Sequence, residues 1–292
     1  MTRPTPGIRE VGVVGCGLMG SGIAEVCARA GLDTLVYEVN APALEAGRDR
    51  VERSLGKAVA RGRLTAEDRD GALRVLRFTT DLADFADRDL VIEAVPEDEQ
   101  VKLGTFSALD RIMRRPDALL ASNTSSIPIM KLAAVTSRPG QVVGMHFFNP
   151  VPVLDLVELV PTLATDDAAW ERVRGFAADV LGRRVIVSQD RAGFVVNALL
   201  VPYLLAAIRM FESGFAIARD IDDGMVHGCA HPMGPLRLAD HIGLDTTLAI
   251  AETLHAEFRE PLYAPPALLS RMVQAGHVGR KAGRGFYDYP LP

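Results

Sequence analysis

The sequence predicts an α/β fold, with a doubly wound, largely parallel sheet in its N-terminal part and an all-α C-terminal domain after it. Short runs rich in Val and Ile alternate with helix-like segments over about the first 185 residues, which is the pattern of strand–helix–strand units. Some of these runs, such as residues 90–94, are mostly apolar, as in strands that are buried on both faces. After Ser188 the strand pattern stops, and segments of helical character broken by Pro and Gly follow.

The first part of the chain contains the segments that we expect to form the sheet and its covering helices. The expected strands span residues 8–14, 34–37, 90–94, 118–121, 142–147, 156–160 and 185–187. The expected helices span residues 21–30, 42–61, 100–114 and 167–181. We therefore place a domain boundary near residue 187, which divides the chain into residues 1–187 and 188–292, and we expect one long helix over residues 193–213.

Composition and charge exclude several classes of protein. The chain has 292 residues, of which 48% are apolar and 24% charged, and its formal net charge is −5, so we expect no nucleic acid or membrane partner. Three cysteines are too few for a disulfide framework, which favours a reducing, cytoplasmic location. The N-terminus carries no signal-like apolar run, and the longest uncharged apolar stretch, residues 194–208, is interrupted by Asn197 and Pro202.

A glycine-rich segment joins the first expected strand to a helix. Its sequence is Gly15-Cys16-Gly17-Leu18-Met19-Gly20, a GxGxxG pattern in a strand–turn–helix context. Gly15 suits a tight turn, Gly17 allows the backbone to approach a pyrophosphate, and Gly20 allows the helix to pack closely on the strand. The N–H groups at the start of the helix would then hold the phosphates. One alternative is that the loop binds a flavin. The other is that the glycines serve only the packing of the helix on the strand.

Glu38 ends the second expected strand, 23 residues after Gly15. A carboxylate at this place can accept hydrogen bonds from the adenosine ribose hydroxyls and would repel the extra phosphate of NADP. The next residues, Val39 and Asn40, supply no Arg to hold such a phosphate. The predicted cofactor is therefore NAD(H).

A histidine and a carboxylate stand in the two apolar segments that follow. His146 ends the expected strand 142–147, where the carboxyl ends of strands border a ligand crevice. Glu158 lies in a mostly apolar run, and a buried carboxylate requires a partner, for which an imidazole is a good candidate. Such a pair fixes the tautomer of the histidine and stabilises its protonated form, as a general base requires. The alternative is a buried histidine whose hydrogen bonds are satisfied in the core and which has no catalytic role.

Several motifs, in order along the chain, resemble the 3-hydroxyacyl-CoA dehydrogenase family. Besides the glycine-rich loop they are Ala121-Ser-Asn-Thr-Ser-Ser-Ile-Pro128, Met145-His-Phe-Phe-Asn-Pro-Val-Pro152, Gly193-Phe-Val-Val-Asn197, Pro232-Met-Gly-Pro235, Asp240-His-Ile-Gly-Leu-Asp245 and Gly279-Arg-Lys-Ala-Gly-Arg-Gly-Phe-Tyr287. The resemblance implies a Rossmann domain followed by a helical domain, with the substrate between them. It also implies NAD-dependent hydride transfer at C3 of a 3-hydroxyacyl thioester.

The resemblance further implies roles for individual residues. His146 would be the general base, oriented by Glu158, and Ser125 and Asn197 would hold the reacting oxygens. The nicotinamide half of the cofactor would be surrounded by Glu97, Lys102 and Asn123, and the glycine-rich loop, including Leu18 and Met19, would hold the remainder. Relatives usually dimerise through the helical domain, which implies a homodimer.

A basic segment stands out in this acidic chain. Residues 48–63 carry a net charge of +4, and Arg53, Lys57 and Arg61 share one helix face with Ser54 beside them. Without further context a solvated helix face is the simpler interpretation. The family places coenzyme A along this helix, at positions that match Ser54 and Arg61, which favours a binding role.

No metal site is predicted. His227, Cys229 and His231 are close in sequence, but their spacing does not fit common zinc patterns, and they precede a turn. We assign them a structural role.

The sequence also departs from the family. Relatives commonly carry Arg at the position of Ala198 and an Asn-Glu pair at Leu205-Ala206, which suggests a charged interaction lost as a unit. The favoured substrate is a short-chain (S)-3-hydroxyacyl-CoA such as 3-hydroxybutyryl-CoA. The alternatives are an acyl-carrier-protein thioester, a free hydroxy or sugar acid, and a non-catalytic crystallin-like or NADH-sensing protein.

Overall fold

The structure is a computed structural model that describes residues 7–290, and these residues divide into two compact units between Arg191 and Ala192. The strands of the first unit are β1 (Glu10–Val14), β2 (Asp33–Tyr37), β3 (Leu76–Thr79), β4 (Leu90–Glu93), β5 (Leu119–Ser122), β6 (Val142–Phe147), β7 (Leu156–Pro161) and β8 (Arg184–Val187). Its α-helices are α1 (Leu18–Arg29), α2 (Ala41–Ala60), α3 (Ala66–Val75), α4 (Glu99–Ile112), α5 (Ile129–Ala134) and α6 (Asp167–Gly175), the last continued by a π-helical turn over Phe176–Val180.

The strands form one eight-stranded sheet in the order β3-β2-β1-β4-β5-β6-β7-β8. All neighbouring strands are parallel except β6 and β7, which are antiparallel. The order runs outward in both directions from β1, so the direction of winding reverses between β1 and β4. Open sheets of this kind bind ligands beyond the carboxyl ends of the strands at that reversal.

The apolar residues of the strands explain why the sheet is central. Val11, Val13 and Ile92 are fully buried, and on α1 Ile23 and Cys27 are buried against them in the same cluster. Strands covered on both faces must be apolar on both faces, which is the pattern in the sequence. The expected α/β fold with a doubly wound sheet is therefore confirmed.

Three named elements of the first unit, α3, β3 and the six-residue helix α5, have no counterpart in the sequence prediction. Helix α3 and strand β3 lie between α2 and β4 in the chain, and β3 is an edge strand of the sheet. The burial of β3 is irregular, with only Leu76 buried, so this short strand shows neither strict alternation nor a continuous apolar run. Edge strands are exposed to solvent on one side, and their sequence signal is correspondingly weak.

The second unit is helical. Its helices are α7 (Val196–Glu212), α8 (Ala218–Cys229), α9 (Pro235–Ile242), α10 (Leu244–Phe258) and α11 (Ala267–Gln274). Leu204, Leu236, Leu254 and Leu269 are fully or almost fully buried in its own apolar core. The all-α character expected of the C-terminal part is thus confirmed. Within residues 7–290, no helix is both long and apolar enough to cross a membrane.

The units divide four residues beyond the boundary placed at residue 187. The segment after β8 remains attached to the first unit through Asp190. Its two carboxylate oxygens accept hydrogen bonds, each 2.7 Å long, from the backbone N–H groups of Ile129 and Met130 at the start of α5. A short helix without a side-chain cap gains an acceptor for its N-terminal N–H groups in this way.

We predict that Asp240 anchors the C-terminal segment to the helical unit. Its buried carboxylate accepts hydrogen bonds from the N–H groups of Phe286 and Tyr287 and from the Tyr289 hydroxyl, at 2.9–3.0 Å. Asp240→Ala would leave these donors without an acceptor and should destabilise the protein by about 2 kcal/mol. Asp288→Ala is the matched control, because Asp288 is exposed and its ion pair with Arg284 is loose at 3.7 Å. Equal urea midpoints for the two variants would contradict the prediction.

Candidate active site

The glycine-rich loop lies where the winding of the sheet reverses. Gly15 has a φ of +92°, and a Cβ atom added to it would lie 2.7 Å from the carbonyl oxygen of Ala94, just beyond β4. A Cβ on Gly20 would lie 1.8 Å from the carbonyl oxygen of Gly15. A Cβ on Gly17, in contrast, would meet open space, immediately before α1 begins at Leu18. The loop is therefore closed on its protein side and open where the helix N-terminus can receive a phosphate.

The two remaining loop residues differ in their surroundings. The Leu18 side chain is mostly exposed, whereas Met19 packs against the apolar core of the unit. Of the two, Leu18 is thus the one available to a ligand at the helix N-terminus.

Glu38 follows β2 and its carboxylate is tied to the same loop. Its Oε1 accepts a hydrogen bond from the N–H of Cys16 at 2.7 Å, and its Oε2 accepts one from the N–H of Val39 at 3.1 Å. A carboxylate fixed beside the glycine-rich loop is suited to bind the hydroxyls of a ribose attached to a bound pyrophosphate.

Arg50 is a residue of this region that sequence reasoning missed. Its Nη1 donates a 2.6 Å hydrogen bond to the carbonyl oxygen of Cys16, although 34 residues separate the two. The sequence pattern of α2 does not predict that the Arg50 side chain contacts the glycine-rich loop. The Cys16 thiol between these charges is buried, and burial together with Glu38 raises its pKa to about 12, so it remains a neutral packing residue.

Lys102 lies buried between two carboxylates at the carboxyl end of β4. Its Nζ lies 2.7 Å from Oε1 of Glu93 and 3.3 Å from Oε2 of Glu97. Burial raises the pKa of Glu93 despite the adjacent ammonium. The pKa of Glu97 is lowered, because Lys102 and the surrounding hydrogen-bond donors outweigh its burial.

Glu97 in turn holds the loop that follows β5. Its Oε1 accepts hydrogen bonds from the N–H groups of Ser125 and Ser126, at 3.0 and 3.2 Å, and from the hydroxyl of Thr124. Asn123 begins this loop, and its Oδ1 accepts a 2.9 Å hydrogen bond from the N–H of Phe147 at the end of β6. The structure thus brings Glu97, Lys102, Asn123 and Ser125 to one edge of the sheet.

His146 and Glu158 are directly opposite each other in the antiparallel pair β6–β7. Opposite residues of such a pair project to the same face of a sheet, and here Nδ1 of His146 lies 2.7 Å from Oε2 of Glu158. The histidine is 6% exposed and the glutamate 0%. When Nδ1 carries a proton that it donates to the carboxylate, the neutral ring has its lone pair on Nε2, where it can accept a second proton.

The basic segment corresponds to α2 and the turn after it. Ser54 and Lys57 line a hollow of about 210 Å³ between α1, α2 and residues 149–152. Glu25 also lines it, with a buried carboxyl group for which no hydrogen bond is found within the described residues, although Arg29 lies 3.5 Å away. Burial raises the pKa of Glu25. Arg61 directly follows α2, is exposed, and is not part of the lining of this hollow.

Two groups of predicted residues lie in the helical unit. Asn197 is buried in the first turn of α7. His231 pairs with the hydroxyl of Tyr203 at 3.1 Å, in accordance with a structural role. Among residues 7–290 no set of three or more His, Cys, Asp or Glu side chains has the arrangement of a metal site.

Comparison with protein-family models matches the two units separately. Residues 10–191 match the NAD binding domain of 3-hydroxyacyl-CoA dehydrogenase, and residues 193–289 match the C-terminal domain of the same family. The two matches together cover almost the whole chain.

Curated and solved proteins show the same relationship over their full length. A 3-hydroxybutyryl-CoA dehydrogenase of Mycobacterium tuberculosis is 61% identical over 282 residues, which cover 97% of this chain and 99% of the relative. The crystal structure of FadB2 from M. tuberculosis matches with a TM-score of 0.97 and 60% identity, over 98% of this chain and 100% of that one. The structure of (S)-3-hydroxybutyryl-CoA dehydrogenase from Ralstonia eutropha matches with a TM-score of 0.91 and 44% identity, over 97% and 99%.

Two glycine substitutions should separate the binding role of the loop from its packing role. Gly17→Ala places a methyl group in open space at a φ of −67°, so we expect an unchanged melting temperature but at least tenfold weaker dinucleotide binding. Gly20→Ala must displace the backbone of Gly15 and should lower the melting temperature as well. Calorimetric binding and thermal unfolding measure the two effects. Unweakened binding by a correctly folded Gly17→Ala variant would show that no ligand approaches the backbone there.

Proposed function

The chain belongs to the 3-hydroxyacyl-CoA dehydrogenase family and is an NAD-dependent oxidoreductase, and we propose that it interconverts a short-chain (S)-3-hydroxyacyl-CoA and the matching 3-ketoacyl-CoA. The observation that carries the proposal is the buried His146–Glu158 pair, because oxidation of an alcohol needs a base that removes the hydroxyl proton. The high identity to relatives named 3-hydroxybutyryl-CoA dehydrogenase supports the short chain length.

In the proposed mechanism His146 accepts the proton of the 3-hydroxyl group at Nε2. The Glu158 carboxylate stabilises the imidazolium that results, since the hydrogen bond at Nδ1 then joins opposite charges. When bound, NAD⁺ would supply the hydride acceptor for C3. In the reverse direction the imidazolium of His146 would return its proton to the oxygen of the ketone.

Other residues are proposed to position the reactants. Ser125 and Asn197 would hold the reacting oxygens by hydrogen bonds. Glu97, Lys102 and Asn123, which the structure brings to one edge of the sheet, would surround the nicotinamide half of the cofactor. The pyrophosphate and adenosine would be held by the glycine-rich loop and Glu38.

For the carrier we favour coenzyme A over a carrier protein. Ser54 lies at a hollow that Arg50, Arg53 and Lys57 also line, and Arg61 directly follows the same helix. A nucleotide with several phosphates is attracted to such a surface. We further propose a cytoplasmic homodimer, for which the exposed Leu199 and Met210 side chains of α7 offer apolar surface.

The proposed function is tested by measuring NADH oxidation with several ketone substrates. The panel consists of acetoacetyl-CoA, longer 3-ketoacyl-CoAs, an acetoacetyl carrier-protein thioester and free keto acids. We expect the highest kcat/KM with acetoacetyl-CoA. A higher kcat/KM with the carrier-protein thioester or a free acid would contradict the proposed coenzyme A substrate. NADH binding without turnover would favour the non-catalytic alternative.

Substitutions in the histidine–glutamate pair should lower turnover without removing the cofactor. We expect His146→Ala to lose about 10³-fold in kcat, within the range typical of general-base catalysis, while NADH binding is retained. Glu158→Gln keeps the shape of the side chain but not its charge and should lower kcat by at least tenfold. Steady-state kinetics and NADH fluorescence titration measure both. Normal turnover by His146→Ala would refute the role of the base, and a Glu158→Gln variant that loses only thermal stability would assign Glu158 to structure.

The basic face of α2 should make substrate binding sensitive to salt. We expect the KM for acetoacetyl-CoA to rise steeply between 50 and 300 mM NaCl. Added ions screen the attraction between exposed charges that are more than about 10 Å apart. Arg61→Ala should raise KM at low salt and flatten this dependence. Glu52→Ala, which removes an exposed acidic residue of the same helix, is the control of opposite charge. A KM that does not change with salt would contradict phosphate binding on this face.

A further inference from the structure

Glu93, Glu97 and Lys102, which we name the β4 charge cluster, contain one more carboxylate than ammonium groups. The Lys102 side chain is 1% exposed and is shared between the two acids, at 2.7 Å from Glu93 and 3.3 Å from Glu97. Charges buried in a protein are ordinarily balanced one to one, because each uncompensated charge is costly. With its three members ionised, this cluster instead carries a net charge of −1.

The hydrogen bonds of Glu93 favour its ionised form, although burial raises its pKa. Its Oε1 accepts from Lys102 Nζ and from the N–H of Val95, both at 2.7 Å, and its Oε2 receives the Ser122 hydroxyl at 2.6 Å. The Ser122 oxygen itself accepts from the N–H of Thr124 at 3.1 Å, so its proton is available to Glu93. A carboxyl group that accepts several donors is stabilised as the anion, which opposes the effect of burial.

The cluster lies beside the glycine-rich loop. Ala94, which follows Glu93, provides the carbonyl oxygen that a Cβ on Gly15 would approach to 2.7 Å. Glu97 also binds the backbone of Ser125 and Ser126, so its two oxygens join Lys102 to the loop after β5. The excess charge is therefore placed at the reversal of the sheet, where a dinucleotide would lie.

The two redox forms of a nicotinamide ring differ by one positive charge. The ring of NAD⁺ is a cation, whereas the ring of NADH is neutral. We propose that the uncompensated negative charge of the β4 charge cluster favours the oxidised over the reduced cofactor, with Glu93 as the positioning residue that both holds Lys102 and supplies this charge. This inference rests on the proposed function, because it requires a nicotinamide dinucleotide at the glycine-rich loop.

Removing one charge from the cluster should change the relative affinities of the two redox forms. A unit charge in a partly screened protein site changes the binding of another by on the order of tenfold. We therefore expect Glu93→Gln to increase the ratio of Kd for NAD⁺ to Kd for NADH by about tenfold. For this two-electron couple that change corresponds to a rise of about 30 mV in the reduction potential of the bound cofactor.

The experiment measures both dissociation constants on the full chain, by calorimetry for NAD⁺ and by fluorescence for NADH. Glu93→Asp is the matched control, because it shortens the side chain but keeps the charge. It should leave the ratio within threefold of the wild-type value even where both affinities fall. A purely structural role of Glu93 would weaken both redox forms alike in both variants, and that outcome would overturn the proposal.

Glu97→Gln provides a second test that does not depend on a fully buried position. The Glu97 side chain is 38% exposed, so its substitution by Gln is better tolerated, and it removes the same unit of charge. The ratio should increase in the same direction as for Glu93→Gln, and an unchanged ratio would overturn the proposal even where Glu93→Gln does not fold. A wild-type protein that binds neither redox form would refute the proposed function itself, which is a distinguishable result.

Discussion

The contact between the glycine-rich loop and the end of β4 is the constraint on which the site depends. The carbonyl oxygen of Gly15 leaves no room for a side chain at Gly20, and that of Ala94 leaves none at Gly15. This contact brings the N-terminus of α1 to the strand end at which the winding reverses. The phosphate-binding backbone and the charged residues after β4 and β5 consequently lie on one edge of the sheet, although many residues separate them in sequence.

Charges buried at this edge are held by partners from other elements, and these pairings give the site its geometry. Glu158 on β7 is paired with His146 on β6, and Lys102 on α4 with Glu93 on β4. Removing one member of such a pair leaves the other buried and uncompensated, so each pair fixes the relative position of two elements. Here the same pairs would act on the substrate and the cofactor. Deleting one of these side chains would therefore change both the stability of the protein and its chemistry. Substitution of Glu by Gln removes the charge but keeps the shape of the side chain, and so separates the two effects better.

The sequence predicted those features that depend on local pattern. The pattern predicts the strand 142–147 at the bounds that β6 has in the structure, and the pairing of Glu158 with an imidazole follows from one carboxylate in an apolar run. Features set by tertiary packing could not be predicted in this way. Arg50 reaches Cys16 across 34 residues, and β3 is a short edge strand without a regular pattern. The roles of Ser54, Arg61 and Asn197 came from family resemblance alone, since a lone polar side chain on a helix has no local signature.

The departures at Ala198, Leu205 and Ala206 have separate physical meanings in α7. Leu205 is fully buried in the apolar core of the helical unit, so an apolar residue there contributes packing that an amide would not. Ala206 is exposed, and it lies eight residues beyond Ala198. Eight residues of α-helix correspond to about 12 Å of rise and more than two turns, whereas ion pairs on a helix form between residues three or four apart. Charges restored at both positions would not face each other directly, so the hypothesis of one charged pair lost as a unit gives way to independent changes, each with its own neighbours.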